Sequence, residues 1–321
     1  MGETAGHLSP VYLDNIDNFL NASNVIQIPY SDFGKAATIN TASIDGYDWT
    51  KPFPGSAVEG HEAHLYVTRD VPVPDDLSKN STTTVSALTF SIPASMTNSS
   101  ARLPVDMDPS WYICRHLFVS TNEQARKSVA EGNNCDFLDD TCRLDLINSL
   151  TRRWGKEDGP VMCSARAADS IPASCYDSFG HSRQDVIGFD SKQLADSNAA
   201  PLLTSDKLLE GTWRMGTGYN EAHDRHAYAT AANRTYLIAT VWGYARDIDP
   251  KHVQTPQVSL SCLSAWSPHD ASQSASASGT ATTSAKPSST SSSTASRTGS
   301  NLARKLAAAA VAITAISLLS M

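Results

Sequence analysis

The chain has 321 residues, 25 of them basic and 33 acidic, for a net charge of −8 at neutral pH. Such a balance argues against nucleic acid or an anionic membrane surface as partner, because both repel negative charge. The length allows one large domain or two small ones.

The first twenty residues, MGETAGHLSPVYLDNIDNFL, hold no basic stretch followed by an apolar run of the kind that directs secretion. Asn21 opens the first of four N-glycosylation sequons; the others begin at Asn80, Asn98 and Asn233. NVIQIPY (24–30) is predicted to be a strand. The stretch GYDWTKPFPG then sets Trp49 in a loop rich in Gly and Pro, where an exposed indole could stack on a sugar face.

Next comes His61-Glu62-Ala63-His64. A zincin motif needs its histidines four apart on one helix face, and these are three apart, so a metalloprotease is not indicated. A metal site would need His61 and His64 to meet His223 and His226 in space. The bland reading is surface histidines in polar turns. The segments 63–73, 82–92 and 109–120 are rich in β-branched and aromatic residues and are bounded by turn formers, so each reads as a strand.

Residues 121–180 differ. Thr121-Asn122-Glu123-Gln124 fits a capping box opening a helix to about Ala130. Leu144, Ile147, Leu150 and Trp154 recur at helical spacing, so 141–154 is predicted to be a helix with one apolar face, ended by Gly155. Asp139 and Asp140 stand where carboxylates cap a helix start; with Asp136 they lack the glycine of a calcium loop. The six cysteines are Cys114, Cys135, Cys142, Cys163, Cys175 and Cys262, an even number without zinc-site spacing. Three disulfides are expected, with Cys135 joined to Cys142 and Cys262 closing a long-range bridge.

Further on, GTWRMGTGYN places Trp213 in a second Gly-rich loop, the other candidate binding aromatic. Trp111, Trp154 and Trp242 lie within regular patterns and are expected in the core. HAYATA and TYLIATVWGYA (226–245) suggest a hairpin with Asn233 at its turn, and 253–266 a closing strand. The fold class expected is mainly β: an antiparallel β-sandwich over 1–266 with a Cys-rich helical insert at about 121–180.

Between 271 and 300, 18 of 30 residues are Ser or Thr and none is aromatic. Such a segment buries too little apolar surface to offset its ordering entropy, so 267–300 reads as a disordered stalk of the O-glycosylated kind. No acid follows Asp270, while Lys286, Arg297, Arg304 and Lys305 do; the remainder holds 21 basic and 33 acidic residues, a net of −12. The chain ends LAAAAVAITAISLLSM (306–321), without charge. At about 1.5 Å per residue this helix would reach roughly 24 Å, short of the roughly 30 Å hydrocarbon core. Small residues, a polar spacer and an apolar end fit a glycosylphosphatidylinositol (GPI) signal over 301–321, with attachment at Gly299 or Ser300. Because that signal acts only in the secretory pathway, the full gene is expected to encode a signal peptide upstream of Met1.

No G-x-S-x-G elbow, dinucleotide fingerprint or P-loop occurs, and no cofactor is expected. Dispersed carboxylates could still serve glycoside hydrolysis; Glu62 and Glu221, each near a histidine, are the nominal pair.

The acidic Cys-containing region, the Ser/Thr stalk and the apolar tail together resemble fungal GPI-anchored cell-surface or cell-wall glycoproteins. The resemblance is one of layout, carried mainly by 267–321. It implies a noncatalytic glycoprotein on the plasma membrane or wall, held by its lipid, structural or in contact with wall polysaccharide. The alternatives are a secreted wall-modifying glycoside hydrolase and, more weakly, a metal-binding surface protein.

Overall fold

The computed structural model describes residues 8–13, 24–98, 104–152, 154–155, 163, 171–180, 183–196, 199–205, 207, 213–245 and 255–266. The chain divides into two units, Met1–Ser276 and Ala277–Met321, and every described residue lies in the first. The stalk, the tail, Gly299, Ser300 and Asn21 are thus outside the described residues.

The strands are β1 (Leu8–Leu13), β2 (Asn24–Pro29), β3 (Thr38–Tyr47), β4 (Ala57–Pro72), β5 (Thr82–Ser91), β6 (Trp111–Ser120), β7 (Arg183–Asp190), β8 (Trp213–Gly216), β9 (Thr235–Tyr244) and β10 (Gln257–Ser264). The helices are α1 (Glu123–Ala130), α2 (Asp140–Thr151), α3 (Ser191–Ala195), α4 (Ala199–Thr204) and α5 (Arg225–Ala232). Strands take 42% of the described residues and helices 23%, so the fold is mainly β.

One sheet has the order β2-β1-β8-β5-β4-β3, the other β10-β9-β6-β7. All strand neighbours are antiparallel except β1 and β8. Alternation along each strand decides what it buries. On β4, Ala63, Leu65 and Val67 face a core that also holds Ile113, Leu117 and Val119 of β6 and Ile238 and Trp242 of β9. That core therefore draws on both sheets. The intervening residues of β6 and β9, including Cys114, Phe118, Leu237 and Val241, join a second core with Leu146 and Leu150 of α2. These two strands are covered on both faces, which is why they read as nearly unbroken apolar runs. A third cluster gathers Val11, Ile26, Ile28, Phe33, Val71 and Val85 around β1 and β2.

The two sheets approach at β3 and β10. The Asn40 side-chain amide donates to the Ser264 carbonyl, and the Ser261 hydroxyl donates to the Ser43 carbonyl at 2.6 Å. Side chains thus satisfy part of the hydrogen-bonding edge that each strand would otherwise leave open. Two glycines permit close packing nearby: a Cβ at Gly46 would collide with the His61 ring, and one at Gly243 with the Trp154 ring.

Several local expectations change. HAYATA belongs to helix α5, not a strand; Asp224 accepts from the His226 N–H and caps a run dominated by alanine, the strongest helix former. Asn233 is consequently the helix C-cap and not a hairpin turn. The cap of α1 is Asn122, one residue later than predicted, accepting from the N–H groups of Gln124 and Ala125. Helix α2 buries Cys142, Leu146 and Leu150, while Leu144 stays 59% exposed. Asp139 does cap it, accepting from the Cys142 N–H at 2.8 Å. The disulfides are Cys114–Cys163, Cys135–Cys262 and Cys142–Cys175. Cys262 makes the long-range bridge, but its partner is Cys135. Cys142 sits in the first turn of α2 and bonds instead to Cys175, across the contact of α2 with the short 3₁₀ turn Ala173–Cys175.

Candidate functional site: a groove beside strand β3

Helix α1 ends at Ala130, and the chain then turns sharply, with Gly132 at φ +85° and Asn134 at φ +45°. Both lie in the left-handed region that glycine and asparagine tolerate best. This turn is fastened to β10 twice. The Asn134 side-chain oxygen accepts from the Cys262 N–H at 2.9 Å, and the adjacent Cys135 is bonded to Cys262.

Between this anchored turn and β3 lies a cleft of about 500 Å³. Asn40, Thr41 and Ser43 line it from β3, Asn134 from the turn, and Ser264 and Trp266 from the end of β10. These amide- and hydroxyl-bearing residues share the lining with the apolar Ala42, Val129, Ala130 and Leu263. Trp266 is half-buried, and the Arg126 guanidinium lies over its ring at 5.0 Å from the centroid. The size falls within the range of small-molecule sites.

Thr41 also belongs to a polar row crossing β3, β4 and β5. His64 Nδ1 lies 3.0 Å from Thr41 Oγ1 and its Nε2 lies 2.9 Å from Ser91 Oγ. Glu62 Oε2 accepts from Ser91 Oγ at 3.5 Å and stands 3.8 Å from His64 Nε2. Register explains the meeting, since Thr41 pairs with His64 and Glu62 with Ser91. A serine and an imidazole are in contact here. In a catalytic triad, however, a carboxylate holds the nitrogen remote from the serine. A threonine hydroxyl occupies that place, and the carboxylate sits on the serine side.

The other sequence-derived residues fall elsewhere. Trp49 is 0% exposed, with its ring against His61, Phe189 and Trp242. Trp213 is 3% exposed in β8, and its indole N–H donates to Asp185 Oδ2 at 2.7 Å. Neither offers a binding surface: the Gly-rich text around them marks close packing, not an exposed loop. His61 and His64 point to opposite faces of their sheet, as an odd spacing in a strand requires. His61 enters the core, where burial first and the nearby Arg115 charge second lower its pKa to about 4. Arg115 is itself 1% exposed, donates to the Leu203 carbonyl at 2.7 Å, and is lowered to about 9 by burial. His223 bonds to Asp70 Oδ2 at 3.0 Å, while His226 is an exposed residue of the first turn of α5. The four histidines do not converge, and among the described residues no three His, Cys, Asp or Glu groups are placed to hold a metal ion.

Glu62 faces Ser91 at the end of β5, whereas the Glu221 carbonyl accepts from Thr82 at the start of that strand. Nine steps of about 3.3 Å separate the two by roughly 30 Å. Glycosidase carboxylates stand about 5–10 Å apart, so this pair is not one. Of the sequons, Asn80 is exposed with φ +55°, whereas the Asn233 side-chain oxygen accepts from Arg126; Asn98 is described, but its sequon partners are not.

The groove is not legible in the sequence, because β3 carries only a weak strand pattern and Trp266 stands outside the Gly-rich stretches that suggest a binding aromatic. The available signal was an aromatic directly before the Ser/Thr-rich tract.

Comparison of the chain with protein-family models, with curated proteins and with solved structures gives no match. Among the described residues no helix is long and apolar enough to cross a membrane. The three disulfides are compatible with an extracellular location.

Proposed function

We propose that this is a noncatalytic glycoprotein of the cell surface, anchored through a GPI lipid, that contacts glycan through the groove beside β3. The observation that carries the reading is the groove's chemistry. The amides of Asn40 and Asn134 and the exposed Ser43 line the groove together with the indole of Trp266, the combination that meets a sugar's hydroxyls and its apolar C–H face. The uncharged tail at 306–321 and the Ser/Thr tract before it support the anchor and the surface location. A fungal cell wall suits this layout, with its polysaccharide as partner.

One experiment examines both parts. The full chain is expressed behind a secretory leader, released from the cells with a phosphatidylinositol-specific phospholipase, and applied to a glycan array. Release and selective glycan binding are expected, with Trp266→Ala weakening binding about tenfold, as the loss of one aromatic contact allows. A chain that stays on the cell after the lipase has no such anchor. A released chain that binds no glycan leaves only a structural role.

A further inference from the structure

The groove's occupant can be narrowed, on the condition that it is a glycan at all. We propose that the groove takes a neutral oligosaccharide and excludes uronates and sulfated or phosphorylated sugars. Among the described residues lining it, none is Asp, Glu, Lys, Arg or His. A site for an acidic sugar would place a cation at the ligand, most often an arginine fork matched to the carboxylate or phosphate.

The cation at the groove's margin is already engaged. Arg126 donates through Nη1 to the Asn233 side-chain oxygen, approaches Glu123 at 4.0 Å through Nη2, and spreads its guanidinium over the Trp266 ring. The next cation along α1, Lys127, is held by Glu123 at 2.7 Å. Beyond the groove, the chain's net charge of −8 repels an anionic ligand.

The remaining polar groups suit hydroxyls. The Asn40 amide spends an N–H on the Ser264 carbonyl, which leaves its side-chain oxygen as an acceptor. Asn134 spends its oxygen on the Cys262 N–H, which leaves its NH₂ group as a donor. A sugar hydroxyl both donates and accepts, so these two amides complement it without any charge. Because Arg126 covers one face of Trp266, a pyranose would stack on the opposite face, and one with equatorial hydroxyls presents the flat C–H surface this needs.

The test measures binding of the full chain to neutral hexose oligomers, to uronate oligomers and to sulfated or phosphorylated sugars, each at low and high salt. The neutral set should bind with an affinity that salt changes less than about twofold, because no ion pair is screened. Asn134→Asp keeps the oxygen that holds Cys262 while removing the donor and adding a charge; it should weaken neutral binding about tenfold, equivalent to one lost hydrogen bond in that range. Thermal unfolding of the same variant checks that its fold is intact. Preference for an acidic set, with affinity falling as salt rises, would overturn neutrality and leave the glycan reading standing. Neutral binding that neither Asn134→Asp nor Trp266→Ala alters would place the ligand elsewhere. Absence of binding to every set would remove the glycan reading, and this inference with it.

Discussion

The two large cores of this molecule are built by different means. The core between the sheets is aromatic: Trp49 lies 6.1 Å from Trp242 and 6.0 Å edge-on from Phe189, with Trp111 and Phe90 in the same cluster. It even accommodates a guanidinium, since Arg115 lies 4.2 Å from the Phe90 centroid and 5.1 Å from Phe189. The core outside the second sheet contains all six cysteines. Its outer wall is two short helices and irregular chain, which lack the long ladders of a sheet. Where regular hydrogen bonding is sparse, covalent links limit the unfolded chain and hold the layer down. Aromatic burial secures the first core, and disulfides secure the second.

The largest effect that separates the cores should come from the cysteines. Cys135 and Cys262 are 127 residues apart, Cys142 and Cys175 only 33. In the loop-entropy account the first bridge contributes about 5 kcal/mol and the second about 4. Urea unfolding of the Cys135→Ala/Cys262→Ala protein should therefore show the greater loss. It should also weaken the groove, since that bridge fastens the Gly132–Asn134 turn to β10. A larger loss from the Cys142/Cys175 pair would mean that local strain, not chain entropy, governs the outer layer.

The same contrast explains what the sequence disclosed. Strands β4, β5, β6 and β10 were legible because their β-branched and aromatic runs are long and turn residues bound them. Strand β8 has four residues, WRMG, and its neighbours supply most of what makes it a strand. Strand β3, TINTASIDGY, is an edge with Thr41, Ser43 and Asp45 outward, so its apolar signal is half-strength. In α2 the spacing pointed to one apolar face through Leu144, Ile147 and Leu150, whereas the buried face is Cys142, Leu146 and Leu150, the side on which Cys142 bonds to Cys175, and Leu144 stays outward. The groove depends on β3, on a left-handed turn and on a disulfide between distant residues. All three are tertiary facts, and so it was the least legible part.

Acid should discriminate the cores in the opposite sense from reduction. His61 is 1% exposed, with ring centroids 5.2 Å from Trp49 and 5.0 Å from Trp242, and its Nε2 lies 3.3 Å from the Tyr47 carbonyl. Burial, assisted by the Arg115 charge, lowers its pKa from 6.5 to about 4. Between those values the unfolded chain binds more protons than the folded one, so stability falls as the pH drops through this window. The loss from this group amounts to about 2 kcal/mol by pH 5. His61→Leu should flatten the stability profile between pH 6.5 and 4. A profile with the same slope in that variant would assign the acid sensitivity to other groups.

The smallest effect is the most local. Asp139 caps α2 through the Cys142 N–H, and Asp139→Ala should cost about 1 kcal/mol. The two bridges that hold the outer layer to the second sheet, Cys114–Cys163 and Cys135–Cys262, remain closed in this variant. Helix α2 should then fray without carrying the layer away. Hydrogen exchange would show faster amides in Asp140–Thr151, while those of β4 and β5 keep their protection. Uniformly faster exchange across both sheets would mean instead that the two cores unfold as one unit, and that the division between aromatic burial and covalent restraint describes how they are built but not how they open.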